Sequence, residues 1–153
     1  MIEAQATLTY ASVVSRQSVR IALTLAAPNN LEVKAADIQN AYLTAPVSEN
    51  IWAVLGLEFR TDDVNRAVIV RALYGLKSAA ASFRNHLAKC MRQLGYESYI
   101  VNRDLWFKAM TRPSDTFQYY VYLLLYVKNI LEIHHDGEDA IKEIGRFFKM
   151  KPG

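Results

Sequence analysis

Tyr120-Val121-Tyr122-Leu123-Leu124-Leu125-Tyr126-Val127-Lys128-Asn129-Ile130-Leu131 reads as two apolar runs broken by one polar pair. Apolar, β-branched and aromatic runs of this length predict strands, here Phe117 to Tyr126 and Ile130 to Ile133, joined at Lys128-Asn129. Upstream, Arg112 to Asp115 reads as a turn and Leu105-Trp106-Phe107 as a short strand. Ser78 is placed to cap a helix that carries Phe83, Leu87, Cys90, Met91 and Leu94 on one face, with Gly95 just past its end. Ile51 to Leu55 and Val68-Ile69-Val70 predict two more strands around a polar turn at Arg60 to Asn65. Leu31, Val33 and Ala35 alternate with Glu32 and Lys34, which predicts a strand leading to Asp37. Before it, Ser15 caps a helix through Val19, Ala22, Leu23 and Ala26, stopped by Pro28-Asn29-Asn30. After the opening stretch, Asp136 caps a last helix with Ile141, Ile144 and Phe148 facing inward. This order of elements predicts an α+β fold, an antiparallel sheet with its helices on one face.

Composition narrows the classes. A chain of 153 residues with 52% hydrophobic residues can form one domain with a core. No apolar run is long enough to span a bilayer, and Met1-Ile2-Glu3-Ala4-Gln5 lacks the basic and apolar regions of a signal peptide. Cys90 has no cysteine partner in the chain, which suits a reducing compartment. An intracellular protein, cytoplasmic or nuclear and not secreted, is the expectation. The net charge of +3 permits nucleic-acid binding without demanding it.

Few residues could carry chemistry. Nucleotidyl transfer uses two divalent ions about 4 Å apart, which clamp the attacking and leaving oxygens. Magnesium takes oxygen ligands, often one or two carboxylates with substrate phosphates. Such a site needs one acid from a strand end and more from a neighbouring hairpin. Asp37 stands at a predicted strand end, although a single Asp there is commonly a cap or a turn residue. Tyr126-Val127-Lys128-Asn129 stands where the hairpin belongs, although tyrosine and valine in a strand commonly just pack.

Five blocks in order make the pattern specific. They are Tyr10-Ala11-Ser12-Val13-Val14-Ser15-Arg16, Asp37-Ile38-Gln39-Asn40-Ala41-Tyr42-Leu43, Arg71-Ala72-Leu73-Tyr74-Gly75-Leu76-Lys77, Leu125 to Leu131, and Phe147-Phe148-Lys149-Met150-Lys151. Together they resemble the reverse transcriptase of copia-type retrotransposons and cover almost the whole chain. The corresponding family blocks are Phe-Ala-Pro-Val-Val, Asp-Val-x-Asn-Ala-Phe-Leu, Ala-Leu-Tyr-Gly-Leu-Lys, Tyr-Val-Asp-Asp-Ile and Phe-Lys-Met.

The resemblance implies roles. Asp37 is the first-strand magnesium ligand, and the backbone of Ile38 helps to hold a metal. Tyr42 lies under the sugar of the incoming deoxynucleotide and excludes a 2′-hydroxyl. Tyr74 and Gly75 lie near nucleotide and template, and Lys77 touches phosphate. Each has a plainer reading as well: a core aromatic, a turn glycine, a solvated lysine. The implied fold is a polymerase palm, the implied partners an RNA or DNA template-primer and deoxynucleoside triphosphates.

The departures from the family pattern carry as much weight. Lys128-Asn129 replaces both acids of Tyr-Val-Asp-Asp, exchanging two negative charges for one positive one. An ammonium there repels magnesium, and Lys128 is placed either to pair with Asp37 or to sit in water. The family's Gln-Ala-Pro-x-x-Trp is here Ser78-Ala79-Ala80-Ala81-Ser82-Phe83, which a helix start absorbs. Residues 1–153 are expected to be a single palm-like fragment, with fingers truncated at the N-terminus and thumb and ribonuclease H absent. The reading is therefore a copia-type domain inactive as written, with no metal held stably, weak template-primer binding and self-association through uncovered apolar surface. The alternatives are a non-catalytic module that contacts nucleic acid or protein, and a polymerase whose missing acids come from elsewhere. His134-His135-Asp136 with Glu138 is read as a loop without metal, because adjacent strand residues point to opposite faces. Arg84, Lys89 and Arg92 read as a solvated helix face, with phosphate contact as the sharper alternative.

Overall fold

The computed structural model describes residues 11–61, 64–135 and 140–152. It divides into two compact units, one of Ser12–Gln39 with the residues from Leu87 onward, the other centred on Asn40–His86. Four α-helices are described, α1 (Arg16–Ala26), α2 (Ala41–Thr44), α3 (Ala79–Gln93) and α4 (Ala140–Ile144), with one short 3-10 helix at Leu57–Phe59. The described strands are β1 (Glu32–Ile38), β2 (Trp52–Val54), β3 (Arg66–Val68), β4 (Glu97–Ser98), β5 (Leu105–Thr111), β6 (Gln118–Tyr126), β7 (Asn129–His134) and β8 (Met150–Pro152). The chain is α+β. Among the described residues no helix is long and apolar enough to cross a membrane.

In the first unit six strands form one antiparallel sheet in the order β4-β5-β6-β7-β1-β8. Its centre is β6, whose residues Val121, Leu123, Leu124 and Leu125 are all buried. Successive strand residues face opposite sides, so this run is covered on both faces and needs two layers around it. On one face, α1 supplies Val19, Ala22 and Ala26 to a cluster with Leu124, Leu131 and Ile133. On the other, Arg92 of α3 lies over the Trp106 ring at 5.5 Å and α4 begins on the carboxylate of Glu132. The expectation that all helices share one face is thereby corrected. α1 has its own side, because β6 is apolar in both phases of its alternation.

Local signals act as the sequence reading has them at several points. The Ser15 hydroxyl accepts from the Ser18 N–H at 3.0 Å and starts α1. Gly95 has φ +84 and closes α3, with its own N–H donating to the Arg92 carbonyl and the Tyr96 N–H to the Met91 carbonyl. That pair of bonds is the Schellman pattern, and only glycine adopts such a φ without cost. Burial pushes the Cys90 thiol up from its ordinary value, in keeping with a core side chain.

Other expectations need correction. Ser78 precedes α3, but its hydroxyl is buried without a hydrogen-bond partner, so it caps by position and not by side chain. β5 runs on to Thr111 because each of its residues finds a partner on β6. β3 ends at Val68. Beyond it the Ile69 N–H donates to Ile51, and the Val70 carbonyl accepts from Val47, so the run changes partner. Asp136, expected to cap the last helix, lies outside the described residues, as do Tyr10 and Glu138.

The second unit holds the β2–β3 hairpin, α2 and the first half of α3. Trp52 and Val68 face each other across the hairpin and share a side with Val54 and its partner Arg66. All four are exposed, Trp52 by 62% and Val54 by 68%.

Candidate active site

β1 carries Asp37 to the end of the sheet, where the β6–β7 turn arrives beside it. In register, Asp37 stands opposite Asn129 on β7 and opposite Lys151 on β8. The turn is fixed from two sides. Tyr126 pairs with Asn129 across it, and the Ile38 N–H donates to the Lys128 carbonyl at 2.9 Å. The Lys128 ammonium then donates to Asp37 Oδ2 at 3.0 Å. Sequence reasoning leaves Lys128 between pairing and solvent, and the geometry decides for pairing. The other carboxylate oxygen, Oδ1, is buried without a hydrogen-bond partner.

The Lys128–Asp37 pair is half exposed, 46% and 27% for the two side chains. Water and salt screen such a pair, which limits its value to below about 1 kcal/mol. We expect Lys128→Ala to lower the unfolding free energy obtained from urea titration by no more than that.

Val127 is the first of the two central residues of the turn and has φ 54. Two-residue hairpins favour positive φ there, because the mirror-image turns match strand twist, and they usually place glycine at that point. A β-branched residue in this region is strained by about 1 kcal/mol or more. Val127→Gly should therefore stabilise the chain by roughly 1 kcal/mol, partly offset by the freedom glycine gains when unfolded. Thermal unfolding of the two chains side by side measures it, and a lower melting temperature for the glycine variant would count against a strained turn.

Val14, Val19, Leu124 and Tyr126 line a cavity of about 380 Å3 that reaches Asp37 and Asn129. Val14 is held there by its N–H, which donates to the Leu125 carbonyl at 3.1 Å. The Ser12 hydroxyl donates to the carboxylate of buried Asp104 at 2.7 Å. Of the stretch Ser12-Val13-Val14, Val14 is the residue that lines the cavity.

The expected nucleotide-side residues Tyr42, Tyr74, Gly75 and Lys77 belong to the second unit. There the Tyr42 ring lies tilted, its centroid 4.7 Å from that of Tyr74 and 6.0 Å from that of Phe83. Tyr74 is 59% exposed, and Gly75 has φ +97 with open space where a Cβ would project. Gly75 is thus required by the backbone and not by a close neighbour. Lys77 is exposed.

His134 is the last residue of β7, not part of a loop, and is fully buried. His135 points to Arg112 and the Phe117 ring instead. Among the described residues no group of three or more His, Cys, Asp or Glu side chains is placed to hold a metal. Lys89 is exposed, whereas Arg92 covers Trp106. Two residues escaped the sequence reading. Lys151 sits in a block noted only for its order. Glu132 is fully buried, and its two oxygens accept from the Ala140 and Ile141 N–H groups at 2.8 and 3.2 Å. A single acid inside Ile130-Leu131-Glu132-Ile133 was the available signal.

The family model described as reverse transcriptase (RNA-dependent DNA polymerase) matches residues 3–152. The chain is 27% identical over 147 residues to the retrovirus-related Pol polyprotein from transposon TNT 1-94 of Nicotiana tabacum, covering 93% of the chain and 11% of that protein. It is 25% identical over 148 residues to the corresponding polyprotein from transposon RE1 of Arabidopsis thaliana, covering 94% and 10%. For transposon RE2 of the same plant the figures are 26% over 132 residues, 84% and 8%. The chain spans about a tenth of the length of these curated relatives. No solved structure matches it.

Proposed function

We propose that this chain, which belongs to the reverse transcriptase (RNA-dependent DNA polymerase) family, is a copia-type palm whose metal chemistry has been lost. The family uses magnesium and acts on nucleic acid, so the ancestral substrates are template-primer and deoxynucleoside triphosphates. The observation that carries the reading is the Lys128 ammonium, 3.0 Å from Asp37 Oδ2. In the family pattern that turn brings two carboxylates to the metal pair. The donor set here is one carboxylate already engaged by a cation, one neutral amide at Asn129, and Lys151 across the strand. Hard divalent cations need several anionic or carbonyl oxygens, and an ammonium at contact distance opposes them. The residues present do not fit a pair of magnesium ions.

What remains is the scaffold. Asp37 and Ile38 keep the strand end, Tyr126 and Val127 keep the hairpin, and Tyr42 with Tyr74 keeps an aromatic pair suited to a sugar face. The decisive experiment is primer extension by the chain as it stands.

A non-catalytic binding role is the second reading, favoured by one observation, the exposed apolar side of the β2–β3 hairpin. Contiguous apolar surface of this kind marks an interaction site or an aggregation liability. We expect the purified chain to self-associate, with a weight-average mass that rises with concentration in sedimentation equilibrium. A monomer throughout the series would remove this reading.

A further inference from the structure

The first unit has a second hollow, of about 300 Å3, lined by Ile21 and Leu25 of α1, by Val101, and by Leu105, Tyr122 and Ile133 of the sheet. No charged side chain lines it. Beside it stands the segment Tyr99-Ile100-Val101, between β4 and β5. Three hydrogen bonds pin that segment. The Tyr99 N–H donates to the Leu105 carbonyl at 2.9 Å, the Leu105 N–H to the Asn102 carbonyl at 3.0 Å, and Asn102 Nδ2 to the Ser18 hydroxyl at 2.9 Å. The tip is thus tied to both α1 and β5, yet Ile100 is 93% and Val101 89% exposed. The apolar surface continues over the sheet, where the Phe107 ring meets Tyr99 and Tyr120 edge-on at 6.3 and 6.1 Å between centroids. Ile21, Leu25, Tyr99, Ile100, Val101 and Tyr120 are each more than half exposed. At about 150 Å2 for a whole large side chain, they offer on the order of 500 Å2 of apolar surface. That is more than the scattered single residues of an ordinary surface. A stable interface takes about 800 Å2 from each partner, a little over half of it apolar, so these six side chains match its apolar share.

We propose that this face docks a second copy of the chain, each copy setting its Ile100-Val101 tip into the hollow of the other. A two-fold pair uses the same patch on both copies, so the patch has to carry a projection and a socket together. Here they are neighbours, and Val101 belongs to both. A socket for an unrelated protein has no need of the projecting tip. The hollow has room for two aliphatic side chains, and filling it strips no ion of water. The inference is independent of the lost-metal reading, and it is separate from the β2–β3 surface, which belongs to the other unit.

The test is sedimentation equilibrium of the whole chain, run on a parent carrying Trp52→Ser and Val54→Ser so that the β2–β3 surface no longer contributes. The mass of this parent should rise to twice that of the chain and stop there, because a two-fold contact closes on itself. Adding Ile21→Asp, at the wall, or Ile100→Asp, at the tip, should each weaken the pair about tenfold or more. Both positions are exposed, so the variants should keep the parent's far-ultraviolet circular dichroism. A second measurement fixes the geometry. Mixing parent chains that carry Ile21→Cys with chains that carry Ile100→Cys, under mild oxidation, should give the mixed disulfide in excess of either like pair. The proposal is overturned if the parent stays monomeric, if its mass grows past two copies, if both aspartate variants pair as the parent does, or if the mixed disulfide shows no excess. Failure here is distinct from failure of the β2–β3 reading: there the unaltered chain associates no more than the parent with its hairpin replaced.

Discussion

Primer extension by this chain should yield no product with magnesium or with manganese. Phosphoryl transfer is almost entirely positioning plus stabilisation of developing charge, supplied in this family by ions on carboxylates. Losing one electrostatic stabiliser typically costs about 3 kcal/mol in the transition state. Two lost carboxylates therefore cost on the order of 10⁴-fold in rate, before counting the repulsion from Lys128. The comparison is with the double variant Lys128→Asp, Asn129→Asp. The turn is already held by the Ile38–Lys128 backbone bond and the Tyr126–Asn129 pairing, neither of which uses the replaced side chains. Product from the unaltered chain would refute the reading. Product from the double variant alone would attribute the whole defect to two side chains. Silence from both would leave the loss of metal acids as one defect among at least two.

The largest effect on stability should come from Glu132→Ala. The buried carboxylate accepts two backbone N–H groups and so starts α4 from within the sheet. Removing it strands both donors, and Ala140 is itself buried. Charge-assisted bonds of this kind and the cost of unsatisfied buried groups put the loss at about 3 kcal/mol. Glu132→Gln keeps one acceptor oxygen and the shape of the side chain, so it should lose roughly half as much. Urea unfolding with an unchanged m-value gives both numbers. A shift below about 0.5 kcal/mol for the alanine variant would show that α4 does not depend on this anchor.

The elements most visible in the sequence were those decided by neighbours along the chain. The Ser15 cap, the Gly95 stop and the β6–β7 hairpin each rest on a few adjacent residues. The closeness of Asp37 to Lys128 came from block order and not from any local signal. What stayed hidden depends on partners distant in sequence. The helices take both faces of the sheet because β6 is apolar in both phases, a fact compatible with either a buried strand or a buried helix until its neighbours are known. β5 extends to Thr111 only because β6 is there to pair with it. Glu132 looked like a charge in the wrong place, and its purpose requires α4 to exist. Ser78 misled in the opposite sense, since its residue type suits a cap while its hydroxyl makes no such bond.

The strand order has a consequence in time. β1 lies between β7 and β8, so both of its partners come later in the chain. Asp37 and Lys128 are 91 residues apart. Ribosomes add about 5–20 residues per second, so β1 waits roughly 5–20 s after it is made before β7 has even been synthesised. During that interval its edges are unpaired and the apolar side of α1 has no sheet to cover. Local pairing of β6 with β7 through a two-residue turn is fast, on the order of microseconds. The slow event is the return of β1 to a hairpin already formed. A cell making this chain therefore has to shield an unfinished sheet during synthesis, whether or not the finished one still does any chemistry.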